Sequence, residues 1–471
     1  MNLGTTGIAI VIGFSILLIA IVLFISRKAK SSEQFFVGNR QFGLWTGAFS
    51  SAAAWIWAPA LFVSSQVAYT KGLPGVFWFI IPNTLALILF AFLAKKVRSV
   101  MEQGYTLPEY IKQRLGTNNQ FLYTVVMFIY QCYAVIVQLL GSLLLLNFLT
   151  GLSKPLLITI LAVVFLIIAS FRGIRSSVIA DMLKVVMMLS VVLLVAPIVI
   201  SRSGGGGTLL GGLGGAKGTF TNLLNPMIAW TYGIPTAISL LAGITIEQQQ
   251  WQRAFSIKKK NISHSFLLAS IIFFVVPLAL SLLGFVASNP SLGISVSDPQ
   301  LSGIGAIAHF LPSIGVIMFV LMILFGLIAA GSSALCAIST LTTNDIYKQY
   351  INKSASEKQQ ITLARITMLI VLVIGVSVAL IPNISILYLQ LLTGAFKATL
   401  FVPTILALYW TKLSSKASFW SILIGLVTGA PLFIYGTIIG NPSLSTWGSI
   451  APLIISAIVC YIGSVAKKSK A

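Results

Sequence analysis

The chain has 471 residues, 57% of them hydrophobic and 8% charged, a composition that excludes an ordinary soluble domain. Apolar runs of at least ~18 residues recur along its length, which also excludes the short alternating strands of a membrane barrel. The formal charge of +22 reads as basic anchors of cytoplasmic loops rather than as a nucleic-acid surface.

In chain order the apolar runs predict about thirteen membrane-spanning helices, an all-α polytopic architecture. Their bounds are 5–26, 44–68, 75–97, 120–149, 154–171, 177–201, 222–246, 264–287, 312–341, 362–382, 385–410, 417–438 and 446–466. The first run lacks a basic leader and is followed by "RKAK", so it reads as a helix with its amino end outside and not as a cleaved signal. Alternating sides from there put "KKVRSVMEQGYTLPEYIKQR", "FRGIR", "QRAFSIKKK", "YKQYINKSASEKQQ", "TKLSSK" and "KKSK" together on one side. The other side receives only Lys71, Lys154, Arg202 and Lys217. This asymmetry predicts a multi-pass protein of the cytoplasmic membrane, amino end outside and carboxyl end in the cytoplasm.

The outer stretch "SRSGGGGTLLGGLGGAKG" reads as a slack linker, and no Walker pattern or cytoplasmic ATPase domain is visible. Cys132, Cys336 and Cys460 lie in apolar runs without metal-ligand spacing. His264 and His309 fall on opposite sides and form no metal pair. No nucleophile–base constellation suggests an enzyme.

Two spans break the rules of a simple helix. Span 44–68 carries "SSAAAWIWAPALFVSSQ", with Pro59 among serines and Gln66. Span 222–246 carries Gly233, Pro235 and Gly243. Prolines free carbonyls one turn earlier, and freed groups survive in lipid only when buried or lining a cavity. With span 44–68 counted as core helix 1, span 222–246 is core helix 6, five spans later and oppositely inserted. Simple kinks are the bland alternative. The pairing favours a secondary transporter with its site between two interrupted helices.

The segment order resembles the solute:sodium symporter family. The carriers are "FFVGNRQFGLWTGAFS", "GYTLPEYIKQRLG", "FRGIRSSVIADMLK", "EQQQWQRAFS" and "STLTTNDIYKQY", in that order. Within that family "AWIWAPALFVSSQVAYTKGLPGVFWF" looks most like the urea-transporting branch. The resemblance implies one transporter domain over 1–471 with a LeuT-type five-plus-five inverted repeat. Residues 1–43 would be an extra amino-terminal helix and loop, 44–201 the first repeat, 222–410 the second, and 411–471 two extra helices. It also implies import of a small neutral polar solute, urea before others, by sodium-coupled alternating access. Alternatives are a proton-coupled or uncoupled carrier for proline, a sugar, a carboxylate or a polyamine, and a urea channel. Besides solute and lipid bilayer, no nucleic acid or obligatory protein partner is expected, and no cofactor beyond the coupling ion.

A urea site needs aromatic faces and a few amide or hydroxyl partners, because unpaired buried polar groups cost about 1–3 kcal/mol. Trp55, Trp57, Gln66, Trp78, Gln131 and Tyr232 are the chosen candidates, with Tyr130, Tyr133 and Trp230 in the same vocabulary. On a regular helix Trp55 and Trp57 lie about 200° apart, so only unwinding would let both face one cavity. The resemblance places sodium against the carbonyls of Ala53 and Ile56 and hydroxyls of core helix 8. A gapless register puts the hydroxyl positions on Ala329 and Ala330, with Ser332 and Ser333 about a turn further on. Asp181 matches a carboxylate of core helix 5. Lys184 then either pairs with Asp181 and snorkels, or sets its ammonium where sodium would be. Lys397 is a second coupling candidate. Glu247 and Arg253 read as solvated loop charges or, alternatively, as an inner gate.

Overall fold

The computed structural model describes residues 3–25, 31–172, 174–382 and 384–465. Among them thirteen segments cross the molecule. The first is Gly4–Ile25. Core helix 1 begins as Leu44–Trp55, is interrupted, and resumes through a π-helical turn at Pro59–Val63. It continues into the helix Ser64–Val100, which turns back at Gly72, where φ is +59° and ψ −150°. Residues after Gly72 form core helix 2. Core helices 3, 4 and 5 are Thr117–Thr150, Lys154–Arg172 and Ile174–Arg202. Core helix 7 is Ile262–Ser288, core helix 8 starts as Ser313–Leu341, and core helices 9 and 10 are Glu357–Ala379 and Ile386–Tyr409. Two final helices, Ser415–Ile438 and Pro442–Val465, pack mainly on each other and on core helix 10. All the expected spans are present, with ends shifted by a few residues except at the break of core helix 6 and at the carboxyl end of core helix 8, which runs on as a π-helical segment to Ile351.

Hydrogen bonds gather the connections into two layers. At one end Arg40 donates to Gly104 O at 2.8 Å, Gln248 Nε2 to Tyr105 O at 3.0 Å, and Tyr110 OH to Ala407 O at 2.9 Å. Arg365 Nε there reaches Ser170 O at 3.1 Å. At the other end Leu3 N donates to Leu149 O, Arg202 Nη1 to Phe310 O and Trp230 Nε1 to Ser443 Oγ. The first layer holds the lysine- and arginine-rich connections and is called the basic face below. Core helices 3 and 8 form the centre: 72% of the most apolar stretch of each is buried, against 22% for Gly4–Ile25.

Two expectations change. Core helix 6 is not broken at Gly233–Pro235. Residues Ala229–Gly233 widen into a π-helical turn, and Gly233 keeps helical angles, φ −63° and ψ −54°. The true break is at Glu247, ψ 102°, where Ile234–Ile246 gives way to a second half-helix, Gln248–Ser256. Pro235 follows directly on this wide turn, which accommodates its missing N–H within a continuous helix. The glycine-rich stretch after core helix 5 is not slack either. Leu73 N donates to Leu213 O at 2.8 Å, Ala216 N to Tyr69 O at 2.7 Å, and Ser288 Oγ to Gly212 O at 2.8 Å. A Cβ on Gly72 would stand 2.5 Å from Phe220 O, so glycine permits this docking both by its positive φ and by its bareness.

Candidate functional site

The site grows from the interruption of core helix 1. Ile56 has ψ 83°, which turns the chain out of the helix, and Pro59 has no N–H to resume it. The orphaned N–H of Ala58 donates to Gln138 Oε1 of core helix 3 at 3.0 Å. The carbonyls of Ala53 and Ile56 accept from the Lys184 ammonium, the first at 2.7 Å. Lys184 is fully buried, so it does not snorkel.

The expected alternative, an Asp181–Lys184 pair, does not form. Asp181 Oδ2 instead binds Arg253 Nη2 at 2.5 Å, and Ser50 Oγ donates to it at 3.1 Å. The guanidinium also donates to Ser50 Oγ at 2.8 Å and Ser333 Oγ at 3.0 Å. Its several donors can satisfy an acid and two hydroxyls at once, which one ammonium cannot do while bound to two carbonyls. Arg253 and Glu247 are therefore not solvated loop charges, being 1% and 2% exposed, and they do not pair with each other.

Core helix 8 packs beside this cluster. Gly326 faces Lys184, since a Cβ there would lie 3.6 Å from Lys184 Cε. Ala329 and Ser333 follow at helical spacing on the same side. Ser333 reaches Asp181 Oδ1 at 3.3 Å and also bonds Ser177. Ser332 turns away, donating to Ile328 O at 2.8 Å and Phe165 O at 3.3 Å. Beside Lys184 core helix 8 thus presents Gly326, which has no side-chain oxygen.

A second cluster lies beyond the break. Because the chain is unwound, Trp55 and Trp57 come together, ring centroids 6.0 Å apart. Trp57 stands edge-on to Tyr133 at 5.6 Å and Tyr130 at 6.5 Å. Lys397 Nζ lies over both tyrosine rings, at 4.9 and 5.4 Å, and donates to Ser239 Oγ at 2.9 Å. Ser239 in turn donates to Gln390 O. Gln390 is fully buried, and neither atom of its side-chain amide has a partner among the described residues. Gln131 Nε2 donates to Glu247 Oε1 at 2.6 Å, which ties the joint of core helix 6 to core helix 3, two turns along from the Gln138 that serves the break of core helix 1.

Not every candidate joins. Trp78 packs on Gly233, with 2.4 Å between its Cδ2 and a Cβ placed there, and lines an apolar pocket of about 150 Å3 with Ile234, Ile238 and Phe401. Tyr232 lies under Lys71, ring centroid 5.3 Å from Nζ, at the far end of core helix 1. Gln66 is half-buried, ten residues past Ile56, with Oε1 unpartnered. Gln390, Ser239 and Glu247 were missed as site members. Gln390 and Lys397 are two helical turns apart on one face of core helix 10, a spacing the sequence does carry.

Vestibules of about 590 and 580 Å3 open at the two ends. One is lined by Asn147, Lys154, Asp298 and Gln300, the other by Gln103, Glu109, Lys112 and Lys348. Between them Ile56, Trp57 and Glu247 are at most 3% exposed.

Two interrupted, oppositely directed helices crossing a scaffold, with vestibules on both sides, define a secondary transporter of LeuT type. A model of the sodium:solute symporter family matches residues 35–425, and the chain belongs to that family. It is 23% identical to a urea-proton symporter of Oryza sativa over 97% of this chain and 69% of that one. It is 23% identical to a probable urea active transporter of Schizosaccharomyces pombe (98% and 76%), and 24% to a sodium/glucose cotransporter of Vibrio parahaemolyticus (89% and 82%). A solved sodium-coupled sialic acid symporter shares the fold with TM-score 0.76, at 16% identity, over 97% of both chains.

Proposed function

We propose that the chain imports a small neutral polar solute, urea first, across the cell membrane without sodium, its amino end outside and its carboxyl end in the cytoplasm. The observation that carries the sodium-free reading is the Lys184 ammonium on the carbonyls of Ala53 and Ile56. Those are the oxygens that the family resemblance reserves for sodium. A second cation there would meet the ammonium at contact distance and find no side-chain oxygen on Gly326 to offset the repulsion. Relatives named for urea and a buried cluster of aromatic faces with amides support the solute. In this reading Trp57, Tyr130 and Tyr133 are the faces, and Gln131 and Gln390 the amides. Trp55 backs Trp57, while Trp78, Tyr232 and Gln66 lie along the outer path.

The test is uptake of radiolabelled urea, proline and glucose into proteoliposomes, with sodium or with potassium. Saturable urea uptake that is equal in both salts is expected. Strict sodium dependence would refute the ammonium-for-sodium reading. Proline or glucose uptake without urea uptake would refute the solute.

A further inference from the structure

Glu247 is a carboxylate in an unusual position. It is 2% exposed and occupies the non-helical joint between the two halves of core helix 6. Among the described residues three ion pairs form, Arg40–Glu33, Arg253–Asp181 and Lys259–Glu102, and Glu247 belongs to none. Its Oε1 accepts from Gln131 Nε2 at 2.6 Å and from Gln249 N at 3.2 Å. The ionisable groups around it are Tyr130 and Tyr133 of core helix 3 and Lys397 of core helix 10. Lys397 is engaged with Ser239 and the two tyrosine rings, and Arg253 on Glu247's own half-helix is taken by Asp181.

Gln131 supplies the second observation. It is fully buried, and its Oε1 has no hydrogen-bond partner among the described residues. A carboxamide offers an N–H and a C=O side by side. A carboxylate can answer only the N–H, whereas a protonated carboxyl answers both, accepting at one oxygen and donating from the other. The Glu247–Gln131 pair therefore lacks one hydrogen, and a proton supplies it. The same proton removes a buried charge that has no contact ion pair among the described residues, which is costly in these surroundings.

We propose that Glu247 is the proton-binding group through which this carrier couples solute movement to a pH gradient. One proton from water on the outer side is held as the carboxyl O–H against Gln131 Oε1. It is returned to water on the basic face when the joint opens there. Binding and release change the pairing between the second half of core helix 6 and core helix 3, the contact that alternating access must remake. This rests on the sodium-free reading above.

Two measurements on the full chain test it. Infrared difference spectroscopy between acid and alkaline buffer should show a protonated-carboxyl C=O band that is lost in Glu247→Gln. An unchanged band in the variant overturns the proposal, whatever the solute turns out to be. In proteoliposomes, an inward-directed proton gradient should drive urea accumulation and urea-coupled acidification by the wild type, and both should be lost in Glu247→Gln. Gradient-driven accumulation by the variant also overturns it. If the variant does not fold, the absence of solute-coupled acidification in the wild type does the same. A wild type that carries no urea, yet shows the band and loses it in the variant, overturns the solute and leaves the proton site standing.

Discussion

At Lys184 an ammonium donates to two carbonyls that an unbroken helix would have used itself. Removing it in Lys184→Ala leaves both buried without a partner, at roughly 1–3 kcal/mol each. The thermal midpoint of the purified variant should fall, and added sodium should raise it in the variant but not in the wild type, because only the variant offers free oxygens. Arg253 argues similarly. Arg253→Ala strands Asp181 uncompensated and should cost about 3–5 kcal/mol. Asp181→Asn combined with it should recover part of that loss in the same unfolding assay. Trp57→Ala removes the ring that meets Tyr130 and Tyr133 and should abolish urea uptake in folded protein. Normal uptake would remove Trp57 from the solute path.

Among the elements, the spans were legible because run length alone forces a helix in lipid. Core helix 6 was half legible. Its glycine and proline mark a π-helical turn, while the functional break hides in "EQQQWQ", a polar string that reads as a loop. Only tertiary partners make that string a buried helix: Gln250 donates to Ser51 O at 3.1 Å and Gln252 to Phe36 O at 2.7 Å. No local periodicity announces partners some two hundred residues away. The ring pair Trp55–Trp57 was hidden for a related reason, since helical spacing separates what the unwound turn unites. The turn between core helices 1 and 2 gives an element-level prediction. Gly72→Ala would combine positive φ, about 1–3 kcal/mol, with a clash against Phe220 O, and should lower the thermal midpoint. An unchanged midpoint would mean that the glycine-rich cover is not seated there.

For the whole molecule, loop charge fixed the sidedness proposal and hydrogen bonds fixed which loops share a side. With half-buried Cys132 replaced by Ser, Gly207→Cys should react with an impermeant maleimide on intact cells, and Lys358→Cys only after permeabilisation; both positions are exposed. The reverse pattern would invert the topology. A small feature of the basic face bears on how such a body moves. Phe42, just before core helix 1, lies in a parallel bridge with Ile257, just after core helix 6. Phe42 N donates to Ser256 O and Lys258 N to Phe42 O, both at 3.0 Å. This clasp yokes the basic-face halves of the two interrupted helices by their main chains, so neither can swing away by itself. Spin labels flanking the clasp should hold a constant separation throughout the transport cycle, while each drifts away from core helix 5 as a single lever.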